Sequence, residues 1–324
     1  MAKFSEALRI ITGASVLLLA SLAAAQEYPS AQVRIIVPLP TGGSSDLVAR
    51  LFANYLSERW KQTVIVENRV GAGGMIGMTA VARAKPDGYT LLFAVPSIAT
   101  VRALIKDPAI DPVKDFDGVS QVIETQFAVA IPAKIPARNA AEFAAYARAN
   151  PGALNAGTYA AGNRLLAEYY AQLSKMKLTN VSYRGEPLAV AALMAGEVHM
   201  VIGTAVTMKE KVDQGAIRVI AVSGNKRFPA FPDVPTAEEV GIKGFDPVLW
   251  FGLLAPAGTP APIKAKIAAE VAQFIGRPDA IEKLHSFGFE GKASTPEEFH
   301  AFLAKDVQVW SDVAKAAGIE PQAP

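Results

Sequence analysis

The 324-residue chain contains no cysteine. That excludes disulfides, thiolate nucleophiles, cysteine-ligated zinc and iron–sulfur clusters. Histidine is scarce: His199, His285 and His300 are the three present. They lie far apart and form no HExxH, so no metal site or cofactor is expected from them. Neither charge is in excess, since 32 Lys+Arg face 30 Asp+Glu for a net +2. That balance speaks against an electrostatic nucleic-acid binder. Charged residues make up 19% and apolar ones 51%, a globular rather than a disordered balance. One apolar run stands out, at 10–22, and it is shorter than the roughly 20 residues that a membrane span needs.

What is present begins with that run. Lys3 and Arg9 precede it and Ala23-Ala24-Ala25 ends it, the layout of a secretory signal with a small-residue cleavage site. We expect a signal peptide over 1–25, cleaved after Ala25, and a periplasmic protein without a lipid anchor. The remaining length suits about two domains.

Strands and helices then alternate. The spacing predicts strands at 33–38, 63–67 and 91–95, with helices at 47–60 and from the second loop to about 84. This β-α-β-α-β order implies a parallel sheet covered by helices. In the first helix Leu47, Leu51 and Tyr55 make one apolar row, and Val48, Phe52, Leu56 and Trp60 lie beside it. Further strands are expected at 127–131, 154–158, 181–183, 198–202 and 217–223, with a helix at 187–195. Asn139 with Glu142 has capping-box spacing. The last hundred residues read as helix-rich. Capping boxes stand at Thr236/Glu239 and Thr295/Glu298, and amphipathic helices are expected at 262–275 and 296–316.

Two loops carry the chemistry. Pro40-Thr41-Gly42-Gly43-Ser44-Ser45-Asp46 follows a strand and opens a helix. Free backbone N–H groups at the positive end of a helix dipole suit a carboxylate or phosphate. The same residues would equally make a plain tight turn with Ser44 as N-cap. Gly71-Ala72-Gly73-Gly74-Met75-Ile76-Gly77 has the same context. It fails as a dinucleotide fingerprint because Ile76 stands where G-x-G-x-x-G needs glycine. No G-x-S-x-G exists, and no histidine lies near Ser44, Ser45 or Ser97 in sequence. The chain thus holds anion-shaped loops and little that could perform catalysis.

The run V-P-L-P-T-G-G-S-S-D-L-V-A-R (37–50) resembles the signature of the Bug-type solute-binding proteins, the extracytoplasmic receptors of tripartite tricarboxylate transporters. The likeness continues through V-E-N-R-V-G-A-G-G-M-I-G (66–77), K-P-D-G-Y-T-L-L (85–92), Y-R-G (183–185), P-D-V-P-T-A-E-E-V-G (232–241) and W-F-G-L-L-A-P-A-G-T-P (250–260). It spans essentially the whole chain after the signal.

The resemblance implies an α/β, two-lobed periplasmic-binding-protein fold of type II, a flytrap with two crossover strands. Lobe 1 would be 26–123 plus 224–324 and lobe 2 would be 124–223. The function implied is capture of a small organic acid (mono-, di- or aromatic carboxylate) by a monomer that delivers it to membrane transporter subunits. The alternatives are a periplasmic ligand sensor for a membrane signalling partner and, behind it, an extracytoplasmic α/β enzyme. The implied ligand set on lobe 1 is Thr41, Gly42, Gly43, Ser44, Ser45, Asp46, Gly73, Gly74, Met75 and Ser97. On lobe 2 it is Tyr159, Asn163, Arg164 and Thr204. The chain departs from the family pattern on lobe 2, where Tyr159, Asn163 and Arg164 replace small polar residues and Gly203-Thr204 replaces the usual Asp. A tyrosine and an arginine there suit a larger or aromatic acid, with Arg164 forking onto a second carboxylate; equally, Arg164 would face solvent on the first turn of its helix.

Overall fold

The computed structural model describes residues 28–323 except Ala160 and Ala230. The expected signal peptide lies outside the described residues. Among the described residues no helix is long and apolar enough to cross a membrane.

The chain opens as β1 (Val33–Val37), α1 (Ser44–Trp60), β2 (Val64–Asn68), α2 (Met75–Ala82) and β3 (Thr90–Ala94). β1 lies between β2 and β3 and is parallel to both. Val33, Ile35, Ile36 and Val37 are all buried, as befits a parallel strand covered on both faces. On α1 the inward row is Val48, Phe52 and Leu56, each at 0% exposure, whereas Leu47 is 41% exposed. The row through Leu47 is therefore exposed only at its start, since Tyr55 at its other end is buried. Burying each of the inward side chains contributes about 1.5–3 kcal/mol.

α3 (Val101–Leu104) leads to β4 (Phe116–Pro132), a 17-residue strand that ties the molecule together. Then come α4 (Ala140–Ala149), β5 (Asn155–Thr158), α5 (Ala161–Leu173), β6 (Thr179–Ser182), α6 (Glu186–Ala195), β7 (Met200–Thr204), α7 (Ala205–Asp213) and β8 (Ile217–Val222). The chain ends with β9 (Val248–Pro256), α8 (Ala261–Ile275), α9 (Pro278–Ser286), the short β10 (Glu290–Gly291) and α10 (Pro296–Ala316).

The strand order is β2-β1-β3-β9-β4-β7-β5-β6, with β8 and β10 also on β4. From Phe116 to Gln126, β4 runs antiparallel to β9. From Phe127 onward it pairs with β7 and β8. One strand is thus shared by two sheet halves, and each half carries its own helices. The return passage leaves β8 at Ser223, whose N–H donates to Phe127 O at 2.8 Å and whose Oγ accepts from Phe127 N at 2.9 Å. One apolar cluster passes behind both halves, from Leu92 and Trp250 to Phe143 and Tyr170.

Two differences from the sequence reading stand out. β9 (V-L-W-F-G-L-L-A-P) lies in a region expected to be helix-rich. It is a continuous apolar run with no alternation, because it is covered on both faces, and such a run has no strand period to detect. The first half of β4 went unpredicted because it carries Ser120, Gln121 and Thr125, all buried. Ser120 and the Gln121 backbone find a partner remote in sequence, while Thr125 Oγ1 has none among the described residues. Ser294 N donates to Ser120 Oγ at 3.1 Å and Ser294 Oγ accepts from Gln121 N at 3.0 Å. The Thr295/Glu298 capping box is formed. The Thr236/Glu239 pair makes the same reciprocal bonds, but on a turn that does not continue into a helix.

The C-terminal helix α10 lies directly on the shared strands. A Cβ on Gly118 would stand 2.6 Å from His300 N, and one on Gly252 would stand 2.2 Å from Phe299 Cζ. Glycine at both positions lets this helix approach β4 and β9.

Candidate functional site

The loops at the carboxyl ends of β1, β2 and β3 lie together, the place where open α/β sheets bind ligands. In the first, Gly43 is the N-cap of α1, with extended φ −74° and ψ 166°, and Ser44 is already helical. The cap is therefore not Ser44, as the plain-turn alternative would have it. Thr41, Gly42, Gly43 and Ser44 are exposed, while Ser45 and Asp46 are buried. A Cβ on Gly42 would meet nothing within 4 Å, and one on Gly43 would meet only Pro40 O at 3.6 Å. The loop thus offers bare backbone at a helix N-terminus.

Asp46 faces the other way. Its Oδ2 accepts from Gly42 N at 2.9 Å and from Arg50 Nε at 3.0 Å, and its Oδ1 accepts from Asn68 Nδ2 at 3.0 Å. Burial alone would push its carboxyl up. The bonds from Arg50, Gly42 and Asn68 outweigh that and hold it below the ordinary range. Both oxygens are occupied by protein donors, so Asp46 shapes the loop from beneath rather than facing a ligand.

The second loop is a 3-10 turn, Ala72–Gly74, running into α2. Gly74 and Gly77 press it onto the first. A Cβ on Gly77 would stand 2.8 Å from Arg69 O and 3.1 Å from Pro38, and one on Gly74 would stand 3.3 Å from Pro38 Cβ. Gly73 is exposed with open space around it, and Met75 is buried at the start of α2. Beside this loop is a third, the 3-10 turn Pro96–Ile98. Its Ser97 Oγ is buried and has no hydrogen-bond partner among the described residues. A buried hydroxyl in that state costs free energy until a partner arrives.

The opposite wall follows β5, β6 and β7. The two walls come close where a Cβ on Gly162 would lie 3.8 Å from Thr100 Cγ2. Asn163 is 8% exposed and serves as a clamp: Nδ2 donates to Ile202 O at 2.7 Å and Oδ1 accepts from Tyr159 N at 3.3 Å. The Tyr159 ring packs on the apolar cluster of this half. Its hydroxyl donates to Ile202 O at 3.4 Å, and burial followed by the nearby Glu186 charge pushes the phenol well above its usual value. Arg164 is exposed on the first turn of α5. The structure therefore turns Tyr159 and Asn163 inward, leaves Arg164 outside, and places Thr204 beside a carboxylate that the sequence reading passed over.

That carboxylate is Glu186, the first residue of α6. Its Oε1 accepts from Thr204 N at 3.3 Å and from Thr207 Oγ1. Burial pushes its carboxyl up, and the bonds from Thr207 and Thr204, with the Tyr159 hydroxyl nearby, offset part of that. The sequence reading began this helix at Pro187. The available signal was an acidic residue directly before a proline at a helix start. His199 sits at the far end of β5, where its Nδ1 accepts from Asn155 N at 3.1 Å. Burial and the nearby Lys134 push its imidazole below the usual value. Among the described residues no group of three or more acidic or His side chains could hold a metal ion.

The family model that matches, the tripartite tricarboxylate transporter family receptor, covers residues 48–319. Among solved structures the chain is similar to the periplasmic binding protein BugD, with 31% identity, 91% of this chain and 100% of that one covered, and a TM-score of 0.72. It is similar to a protein of R. palustris solved with adipate, at 32% identity, 91% and 100% coverage and a TM-score of 0.75. It is also similar to MatC from Rhodopseudomonas palustris with bound malate, at 30% identity, 89% and 100% coverage and a TM-score of 0.71. The architecture is that of a two-lobed periplasmic binding protein. The chain belongs to the tripartite tricarboxylate transporter family of receptors.

Proposed function

We propose that this protein captures a small organic acid between its two lobes and delivers it to the membrane subunits of a tripartite transporter. The observation that carries the reading is the pair of glycine-rich loops at the N-termini of α1 and α2. They are held side by side on Pro38, with bare backbone exposed at Gly42, Gly43 and Gly73. A carboxylate there meets N–H donors and the positive end of a helix dipole. The relatives solved with adipate and with malate support a carboxylate over a phosphate.

The lobes are 26–123 with 224–324, and 124–223, hinged where β4 passes between its two sets of partners. The protein works as a periplasmic monomer after cleavage at Ala25. Among the described residues no histidine stands beside the exposed loop backbone and the Asp46 carboxylate beneath it is fully bonded, so the ligand leaves unchanged.

Thermal-shift screening of the purified protein against mono-, di- and aromatic carboxylates tests the reading, because a ligand that binds only the folded state raises its stability by mass action. We expect at least one acid to raise the melting temperature and to be recovered with its mass unchanged. Conversion of the acid, or no shift with any of them, overturns the reading.

A further inference from the structure

Glu186 stands out among the charged groups of the cleft. It is half-buried, and among the described residues no Lys, Arg or His forms an ion pair with it. Its hydrogen-bond partners are two uncharged donors, the Thr204 N–H and the Thr207 hydroxyl, and the Tyr159 hydroxyl close by is bonded to Ile202 O. A carboxylate withdrawn from water without a cation is costly and gains strongly when a cationic or N–H donor reaches it. It is also within reach, since Thr207 beside it is exposed. Its position is built in: a Cβ on Gly203 would lie 2.2 Å from Glu186 Oε1 and 2.5 Å from Met208 Cε. Only glycine at 203 leaves room for the carboxylate at the mouth of β7. That position is on the lobe opposite the two glycine-rich loops.

We propose that Glu186 is a specificity-determining ligand contact on lobe 2. It takes an ammonium or amide N–H at the far end of a ligand whose carboxylate rests on the lobe-1 loops. This assignment rests on the carboxylate-binding reading above and narrows it. The ligand is a monocarboxylate with a nitrogen donor at its other end. A second carboxylate at that end would meet Glu186 with no cation between them, and the exposed Arg164 does not face it with an ion pair. The relatives solved with dicarboxylates would then differ from this chain in what lobe 2 accepts.

The test uses the full mature protein and four probe series of about four to eight carbons: plain alkanoates, α,ω-diacids, ω-amino acids and diacid monoamides. Each is titrated calorimetrically at neutral pH into wild type and Glu186→Gln. In the wild type we expect the best ω-amino acid or monoamide to bind about tenfold or more tighter than the diacid and the alkanoate of equal length, the scale of one charge-assisted hydrogen bond. In Glu186→Gln the ω-amino acid should lose that advantage and the diacid should gain, while the alkanoate stays within about twofold. A wild type that prefers diacids, or that binds ω-amino acids no better than alkanoates, overturns the Glu186 assignment and leaves the carboxylate reading standing. A uniform loss across all series in the variant also overturns it. Failure of every acid to bind the wild type removes the carboxylate reading itself, and the assignment with it. The wild-type ranking decides without the variant, so a glutamine protein that folds poorly does not blunt the test.

Discussion

Replacing Asp46 with alanine separates the shape of the first loop from its composition. The Asp46 carboxylate is 1% exposed and receives donors from three places: Gly42 N, Asn68 Nδ2 and the Arg50 guanidinium. A hydrogen bond to a charged group contributes about 1.5–3 kcal/mol, and a donor left without water costs a comparable amount. The three do not add in full. Arg50 is 43% exposed and turns to water, and it keeps its bond to Asn68 Oδ1 at 2.9 Å. Asn68 keeps Leu39 O at 3.0 Å. Gly42 is exposed and its N–H finds water. The net loss of stability should therefore be about 2 kcal/mol, the worth of one charged bond rather than three.

The larger consequence falls on binding, because Gly42 is freed in the segment whose backbone must already point at the ligand. Ordering that loop again on binding should cost about 1.4 kcal/mol or more, a tenfold loss of affinity. Asp46→Asn should lose nearly as much as alanine, since donors face both oxygens and the amide NH2 must oppose one of them. The carboxyl is held below its ordinary value of 3.8. Its contribution is therefore present above that pH and is lost as pH falls through the lower folded value. The stability gap between wild type and Asp46→Ala should close in acid. Urea melts from pH 3 to 7 and calorimetric titration of the acid with the largest thermal shift measure both effects. An alanine variant that binds as tightly as wild type would refute the reasoning, whatever its stability.

Three further substitutions test other parts of the argument. Gly43→Val should fold, since only Pro40 O lies near the added Cβ, yet bind a carboxylate about tenfold more weakly because side chain covers the approach to backbone N–H. Unchanged affinity would leave the loop a turn and nothing more. Gly252→Ala should lower stability by about 1–3 kcal/mol through the clash with Phe299, read as a lower melting temperature with ligand affinity retained; an unchanged melting temperature would show that α10 moves aside without cost. Asp306→Asn should stabilise the protein at neutral pH. Burial pushes the Asp306 carboxyl up from 3.8 to about 6, against the bond from Trp250 Nε1 at 2.9 Å. The wild type is then most favoured below 3.8 and loses stability as pH rises through about 6. The asparagine protein should melt higher at pH 8, by about 1–2 kcal/mol, with the gain vanishing near pH 4. A gain independent of pH would point to packing instead of charge.

The parallel half of the fold was legible in the sequence because its segments obey a local rule. β1, β2 and β3 are short apolar runs, the first two closed by glycine-rich loops, and α1 carries its apolar face at helical spacing. The shared strand was not legible as one element. Its second half, from Phe127, is apolar and was expected. Its first half holds Ser120, Gln121 and Thr125, which look like loop residues until Ser294, about 170 residues away, bonds Ser120 and the Gln121 backbone. β9 hid for the opposite reason, being apolar on both faces. In both cases the missing information is tertiary: which polar groups find a partner, and which faces find a cover.

The site divides along the same line. On lobe 1 the residues that shape the surface are adjacent in sequence, so the glycines of 40–46 and 71–77 announce bare backbone directly. Even there the chain conceals that Asp46 points inward, because Arg50 and Asn68 reach it only once α1 and β2 are packed together. On lobe 2 the wall is assembled from three separate loops, and identity alone misleads. Tyr159 and Asn163 are polar residues in the right loop, yet both are spent on holding that loop to β7. Glu186 is hidden in a helix start that propensity explains without any ligand. What sets it apart is visible only in three dimensions: the lack of a cation partner among the described residues, two neutral donors on it, and a glycine at 203 that keeps its place open. A charged group that the protein's own interactions leave half-satisfied is a stronger pointer to a ligand than a polar residue already fully bonded, and on that criterion lobe 2 reads through Glu186 rather than Arg164.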